Sequence, residues 1–257
     1  MNLLKKLLSI KEAIKVPEIT VLFWIIKLLT TAMGESTSDY LVHHIDPVIA
    51  VILGGIGFII AMFLQLSVQK YVAWIYWLTV TMVAIFGTMT ADVVHIVFGV
   101  PYLISTIAFV IILAIIFVIW HKTEKTLSIH SIFTPRRELF YWATVIVTFA
   151  LGTATGDMTA ITFNLGYLAS GVMFAILFVI PLFARKIFSV NEVLAFWASY
   201  IVTRPFGASF ADWFGRTPDM GGIGFGTGRT SIVLAIIIIL FVGYLTATRK
   251  VAQSTKS

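Results

Sequence analysis

The chain has 257 residues, 59% of them hydrophobic and only 12% charged, with a formal net charge of +6. A soluble domain carries about twice that charged fraction, so the composition excludes an ordinary water-soluble globule, and the placement of the basic residues points away from nucleic acid and toward membrane topology. Cysteine is absent, which excludes disulfides, thiolate zinc sites and cysteine-held iron–sulfur clusters.

The chain opens on MNLLKKLLSIKEAIK, whose leucines are interrupted by Lys5, Lys6, Lys11, Glu12 and Lys15. The charges leave no apolar core long enough for a signal peptide. Residues 1–16 therefore read as a basic amphipathic helix on the cytoplasmic surface of a membrane, with a frayed terminus as the plainer alternative. Eight apolar stretches follow, at 17–34, 47–67, 70–91, 101–120, 138–157, 164–184, 191–211 and 230–248. Charge-free runs such as Pro47–Leu66 and Pro101–Trp120 approach the ~20 residues that a helix rising ~1.5 Å per residue needs to cross a bilayer core. Fourteen of the 18 basic residues fall on one side of these stretches, and only Arg216 and Arg229 fall on the other. The positive-inside rule then makes both termini cytoplasmic and turns the odd-to-even connections outward.

The stretches repeat. Trp24, Gly34 and Asp39 share the spacing W-x9-G-x4-D with Trp77, Gly87 and Asp92, with Trp142, Gly152 and Asp157, and with Trp197, Gly207 and Asp212, without a gap. Such self-similarity at a fixed period is the mark of a repeat architecture. Each copy runs along the odd helix of a hairpin and ends at that helix's outer end, in the segments GESTSD, GTMTAD, GTATGD and GASFAD. Seven residues further on stand Asp46, Gly99, Asn164 and Asp219, all good cap or turn residues for the even helix.

These four tandem two-helix units, each with one tryptophan in register, resemble a family of bacterial membrane proteins of unknown function described by this same fourfold repeat. The resemblance implies a bacterial inner-membrane, multi-pass protein and carries no chemistry with it. The expected fold is all-α and integral to the membrane, with eight transmembrane helices as four parallel two-helix repeats. A pseudo-fourfold ring and a pair of two-repeat halves both fit. The expected organisation is a cytoplasmic segment 1–16, repeats at 17–68, 69–122, 138–187 and 188–249, a cytoplasmic loop 123–137 and a cytoplasmic tail 250–257.

The chemistry must come from the residues. Four of the six aspartates sit in the motif, and an ionised carboxylate in a bilayer needs a partner, water or a cation. If the odd helices converge, Asp39, Asp92, Asp157 and Asp212 with Glu35, Thr37, Thr90 and Thr155 make an oxygen-rich cluster suited to a hard cation such as Mn²⁺. The alternative is that each aspartate lies at the membrane boundary and caps a turn, while the small and hydroxyl residues serve close helix packing. Lys27 and Arg204 fall inside spans and act in this reading as charge partners of the acids. Trp24, Trp77, Trp142 and Trp197 with Gly34, Gly87, Gly152 and Gly207 are expected to be structural, the tryptophans as an aromatic belt or inter-repeat packing. The stretch Gly221–Ser231 has G-x-G elements but no preceding strand, so irregular backbone near a cavity mouth fits better than a nucleotide loop.

The expected function is a secondary transporter of a hard cation. Alternatives are a proton-coupled transporter of a small organic or anionic solute, and a non-transporting scaffold. No nucleophile–base motif points to an enzyme. No cofactor is expected beyond a bound metal or coupling ion, and the expected partners are the lipid bilayer and a small ion or solute, not nucleic acid.

Overall fold

The computed structural model describes residues 14–254, and among them eight long helices follow one another: α1 (Val21–His44), α2 (Pro47–Ser67), α3 (Ala73–Asp92), α4 (Tyr102–Glu124), α5 (Pro135–Asp157), α6 (Gly166–Phe188), α7 (Glu192–Gly215) and α8 (Thr227–Ser254). Local chemistry sets their starts. Thr20, Asp46, Thr134 and Asn191 cap α1, α2, α5 and α7 by accepting hydrogen bonds from the first free backbone N–H groups. The residues seven past the motif aspartates divide between two jobs. Asp46 is a true cap, whereas Gly99 and Asn164 take positive φ of 63° and 56° and turn the chain toward the next helix. Asp219 does neither for α8 and sits in a short turn, Pro218–Met220.

The odd helices run past their expected outer ends. α1 continues to His44 instead of stopping at residue 34, and α3 and α5 continue as single π-turns, Val93–Val97 and Met158–Thr162. Hydropathy misplaces these ends because acidic and polar residues such as Glu35, Asp39, Asp92 and Asp157 interrupt the apolar runs, yet the helical backbone bonds continue past them. Six of the eight helices are long and apolar enough to cross a membrane. The other two, α1 and α7, carry most of the buried charge, namely Lys27, Glu35 and Asp39 on α1 and Arg204 and Asp212 on α7, with Glu138 at the start of α5 besides.

The packing follows one rule. Among the odd helices, α1 packs on α3, α3 on α5, α5 on α7 and α7 back on α1. The even helix of each repeat packs on the odd helix of the next: α2 on α3, α4 on α5, α6 on α7, and α8 on α1. Two side-chain contacts recur with the same cyclic order. The aromatic residue before each motif tryptophan faces the tryptophan of the next repeat, with centroids 5.7 Å apart for Phe23–Trp77, 5.6 Å for Tyr76–Trp142, 6.2 Å for Tyr141–Trp197 and 5.7 Å for Phe196–Trp24. Such pairs contribute about 0.5–1.5 kcal/mol each beyond their buried area.

The motif glycine of each repeat lies against the residue seven past the tryptophan of the next. A Cβ on Gly34 would sit 2.3 Å from that of Ala84, one on Gly87 would sit 3.1 Å from that of Phe149, one on Gly152 would sit 2.2 Å from Cγ of Arg204, and one on Gly207 would sit 2.9 Å from Cβ of Thr31. The glycines therefore let neighbouring odd helices approach backbone to backbone, which is how membrane helices associate when burial from water supplies no drive.

Of the expected surface helix at 1–16, residues 1–13 lie outside the described residues. The part that is described is not helical: Ile14–Val16 is tucked beneath the tryptophan end of the ring. Lys15 N donates to Ile132 O and Tyr71 N donates to Ile14 O, at 2.9 and 3.1 Å. Lys15 Nζ reaches the buried carboxylate of Glu138 at 2.6 Å, and Gln65 Nε2 donates to the other oxygen of that carboxylate at 3.0 Å. The connection at 123–137 is ordered against the same end, with Ile129 and Ile132 buried and Trp197 Nε1 donating to Leu127 O at 2.9 Å.

Candidate functional site

Residues four apart share a helix face, and each odd helix turns one such row to the ring centre. Counted from the tryptophan the row is −1, +3, +7, +11 and +15. It produces five layers of four side chains. The first is aromatic: Phe23, Tyr76, Tyr141 and Phe196. The second is Lys27, Val80, Val145 and Tyr200, and the third is Thr31, Ala84, Phe149 and Arg204. All twelve residues of these layers are buried, most of them completely. The fourth layer is Glu35, Thr88, Thr153 and Ala208, all buried as well. The fifth is the four motif aspartates, of which Asp39 and Asp212 are buried and Asp92 and Asp157 half-buried.

Two buried cations sit in the middle of this stack. The Lys27 ammonium lies over the rings of Phe149 and Tyr200, at 4.1 and 4.5 Å from their centroids, and makes no ion pair among the described residues. Ring faces attract a desolvated cation, but they carry no compensating charge. One layer outward, Arg204 Nη2 donates to Glu35 Oε2 at 2.6 Å and Thr153 Oγ1 at 2.7 Å, and also to Thr88 Oγ1. Those three acceptors are the residues directly after the motif glycine in the other three repeats.

The fifth layer is held from outside. Arg216 Nε donates to Asp212 at 2.8 Å, and its Nη2 lies 3.0 Å from Asp39. Burial opposes the Arg216 charge, but the carboxylates of Asp212 and Asp39 outweigh it and raise the guanidinium above its ordinary value. Backbone bonds in the loop after α7 fix this side chain: Gly224 N to Arg216 O, Ile223 N to Trp213 O and Phe225 N to Phe214 O, at 2.8–3.0 Å. The loop's glycines at 221, 224 and 226 take positive φ. Of the stretch expected to be irregular, residues 221–226 form part of a compact clasp that folds back on the end of α7, and residues 227–231 are already the first turn of α8.

Glu35, Asp39 and Asp212 each bring a carboxylate oxygen to within 4.8 Å of the others, a spacing at which a hard cation can bridge them. Asp92 and Asp157 complete the layer by register and have neither a hydrogen bond nor an ion pair among the described residues. They stand where α3 and α5 pass into π-turns, a distortion that often marks functional positions.

The hydroxyls expected as ligands do not join this set. Thr90 and Thr155 donate to carbonyls of their own helices, Phe86 and Gly87 for the first and Leu151 for the second, and Thr37 donates to Ser231 on α8. They lie two residues from the inward row, and two residues on a helix turn through ~200° to the opposite face. The inward hydroxyls at the level of Glu35 are Thr88 and Thr153. Lys27, expected as a charge partner of the acids, meets aromatic rings instead, while Arg204 does pair with Glu35. Sequence reasoning passed over Arg216 as a ligand of the aspartates, and no local pattern marks it, because a loop fold aims it. His95 is bound to its own connection, with Nδ1 3.0 Å from Val100 O.

Four segments of the chain, 22–71, 75–126, 140–189 and 195–251, match the family model described as Repeat of Unknown Function (DUF347). No curated protein and no solved structure matches the chain.

Proposed function

This chain belongs to that repeat family, and we propose that it is a secondary transporter of a hard divalent cation, with Mn²⁺ the foremost substrate. All eight helices cross a bacterial inner membrane as four parallel repeats about a pseudo-fourfold axis along the membrane normal, with both termini cytoplasmic and the aspartates outward. The observation that carries the reading is convergence. Each repeat delivers one carboxylate to the same level of the stack, and Glu35, Asp39 and Asp212 already stand at chelating separation.

Formal charge supports a divalent ion. The inner row and the clasp hold five carboxylates, Glu35, Asp39, Asp92, Asp157 and Asp212, against Lys27, Arg204 and Arg216. Two negative charges are left over, and of these carboxylates the ones without partners among the described residues are Asp92 and Asp157. An incoming cation binds there first and competes with Arg216 for Asp39 and Asp212. All-oxygen ligation suits Mn²⁺ and Mg²⁺ over soft metals. The closed layers of Lys27 and Arg204 beneath the site block free conduction, which fits alternating access better than a channel.

The test is the metal content of cells lacking the protein, compared with cells expressing it or its Asp157→Asn variant. The expected result is a change confined to one divalent metal, restored by the wild type and not by the variant. Equal metal content in all three would contradict the proposal. One observation favours a second reading, proton-coupled movement of an anionic solute: the Lys27 ammonium has no carboxylate partner among the described residues. A flux insensitive to metal chelation would favour it.

A further inference from the structure

The contacts of Arg204 have the form of an ion site with a cation already in it. A single nitrogen, Nη2, meets three oxygens from three different helices, Glu35 Oε2 at 2.6 Å, Thr153 Oγ1 at 2.7 Å and Thr88 Oγ1. Both threonine hydroxyls give their hydrogens to carbonyls one turn back, Thr88 to Ala84 O at 2.9 Å, nearer than Glu35 Oε2 at 3.4 Å, and Thr153 to Phe149 O at 3.2 Å. Their lone pairs are therefore what faces the cation. The remaining nitrogens of the guanidinium, Nε and Nη1, are buried and make no hydrogen bond among the described residues. An arginine serving only as a brace would use its fork of donors. This one offers a point charge to a ring of acceptors.

The repeat explains the arrangement. The position after the motif glycine is Glu35, Thr88 and Thr153 in the first three copies and Ala208 in the fourth. The copy that lacks an oxygen is the copy that supplies the cation. We propose that Glu35, Thr88 and Thr153 form a monovalent-cation site on the ring axis, held here by Arg204 as a tethered cation and open to a free ion of the Na⁺ class when Arg204 withdraws. One carboxylate and two neutral hydroxyls balance a single positive charge, which a divalent ion would exceed. The oxygens are hard donors, which suits an alkali cation. The site shares Glu35 with the candidate divalent cluster, but its other donors, Thr88 and Thr153, lie outside that cluster, and it does not depend on the aspartates' binding a metal.

The experiment vacates the site. Purified Arg204→Ala is unfolded by heat in NaCl and in choline chloride of equal ionic strength, beside the wild type and the double variant Arg204→Ala/Glu35→Gln. Between 1 and 100 mM Na⁺ the midpoint of Arg204→Ala rises by roughly 5 °C, the size expected when a ligand passes well above its dissociation constant. Choline gives no rise, and neither the wild type nor the double variant responds to Na⁺. Adding Asp92→Asn and Asp157→Asn to Arg204→Ala leaves the Na⁺ response in place, which separates this site from the aspartate layer. A midpoint for Arg204→Ala indifferent to Na⁺, or a response kept without Glu35, would overturn the proposal. So would recovery of the double variant when Arg204→Ala is lost in both salts, because Na⁺ would then have failed to satisfy the uncovered carboxylate. Loss of both variants in every salt would overturn it too, leaving Arg204 a structural brace.

Discussion

The motif glycines offer a graded test of the ring. Alanine at Gly34 puts a methyl carbon 2.3 Å from Ala84 Cβ and 2.8 Å from its backbone carbonyl carbon, neither of which can rotate away. Restoring ordinary contact requires α1 and α3 to separate by about 1 Å, and overpacking of this kind costs ~1–3 kcal/mol or more. The gain in helix propensity from glycine to alanine returns at most ~1 kcal/mol, so Gly34→Ala loses about 2 kcal/mol. Gly152→Ala meets the Arg204 stem at 2.2 and 2.4 Å and loses as much, with Glu35 disturbed in addition. Gly207→Ala, at 2.9 Å from Thr31 and 3.0 Å from Ala32 N, is intermediate. Gly87→Ala meets only Phe149 Cβ at 3.1 Å, which a shift of a few tenths of an ångström relieves, and is near neutral. Thermal unfolding in detergent reads the series, at roughly 2–4 °C per kcal/mol for a chain of this size. The predicted order of loss is Gly34 and Gly152, then Gly207, then Gly87. A Gly34→Ala protein as stable as the wild type, or a Gly87→Ala protein worse than Gly34→Ala, would refute the helix contacts described here.

Further outcomes can be checked in the same preparations. Glu138→Gln leaves the buried Lys15 ammonium without its anion and lowers stability by about 3 kcal/mol, while Lys15→Met/Glu138→Leu regains most of the loss. A double variant as unstable as the single would argue against the buried pair. Arg216→Gln removes the resident competitor for Asp39 and Asp212 and tightens Mn²⁺ binding roughly tenfold, a coupling of ~1.4 kcal/mol. Weaker binding in that variant would mean that Arg216 builds the site and does not guard it. Thr90→Val and Thr155→Val leave metal binding unchanged, because both hydroxyls are spent on their own helices. A loss of binding in either would place them back among the ligands.

The repeat was readable because W-x9-G-x4-D fixes an ungapped spacing on one helix, and spacing is what a sequence preserves. The reason for the glycine was not readable in full. Close packing was foreseeable, but the contact of Gly34 with Ala84 or of Gly152 with Arg204 needs the order of helices around the ring. The rule that each even helix serves the next repeat was likewise invisible, since within the hairpin α1–α2 nothing announces that α2 belongs on α3. The common level of the four aspartates is legible from their register. Which hydroxyl faces inward is not legible, because Thr88 and Thr90 are equally hydroxylic and only helix phase separates the inward one from the outward one. Arg216 and the Lys15–Glu138 pair were beyond reach for a different reason. Both are made by backbone that leaves the periodic helices, in the clasp at 216–226 and in the non-helical Ile14–Val16.

Transport of a divalent ion depends first on the aspartate layer as a cation site. That site's most direct measurement is Mn²⁺ binding to the purified protein, followed by the loss of the free ion's electron paramagnetic resonance signal. One ion per chain is predicted, with binding abolished in Asp92→Asn/Asp157→Asn and retained in Thr90→Val. Absence of binding by the folded wild type, or binding undiminished without those two carboxylates, would contradict it.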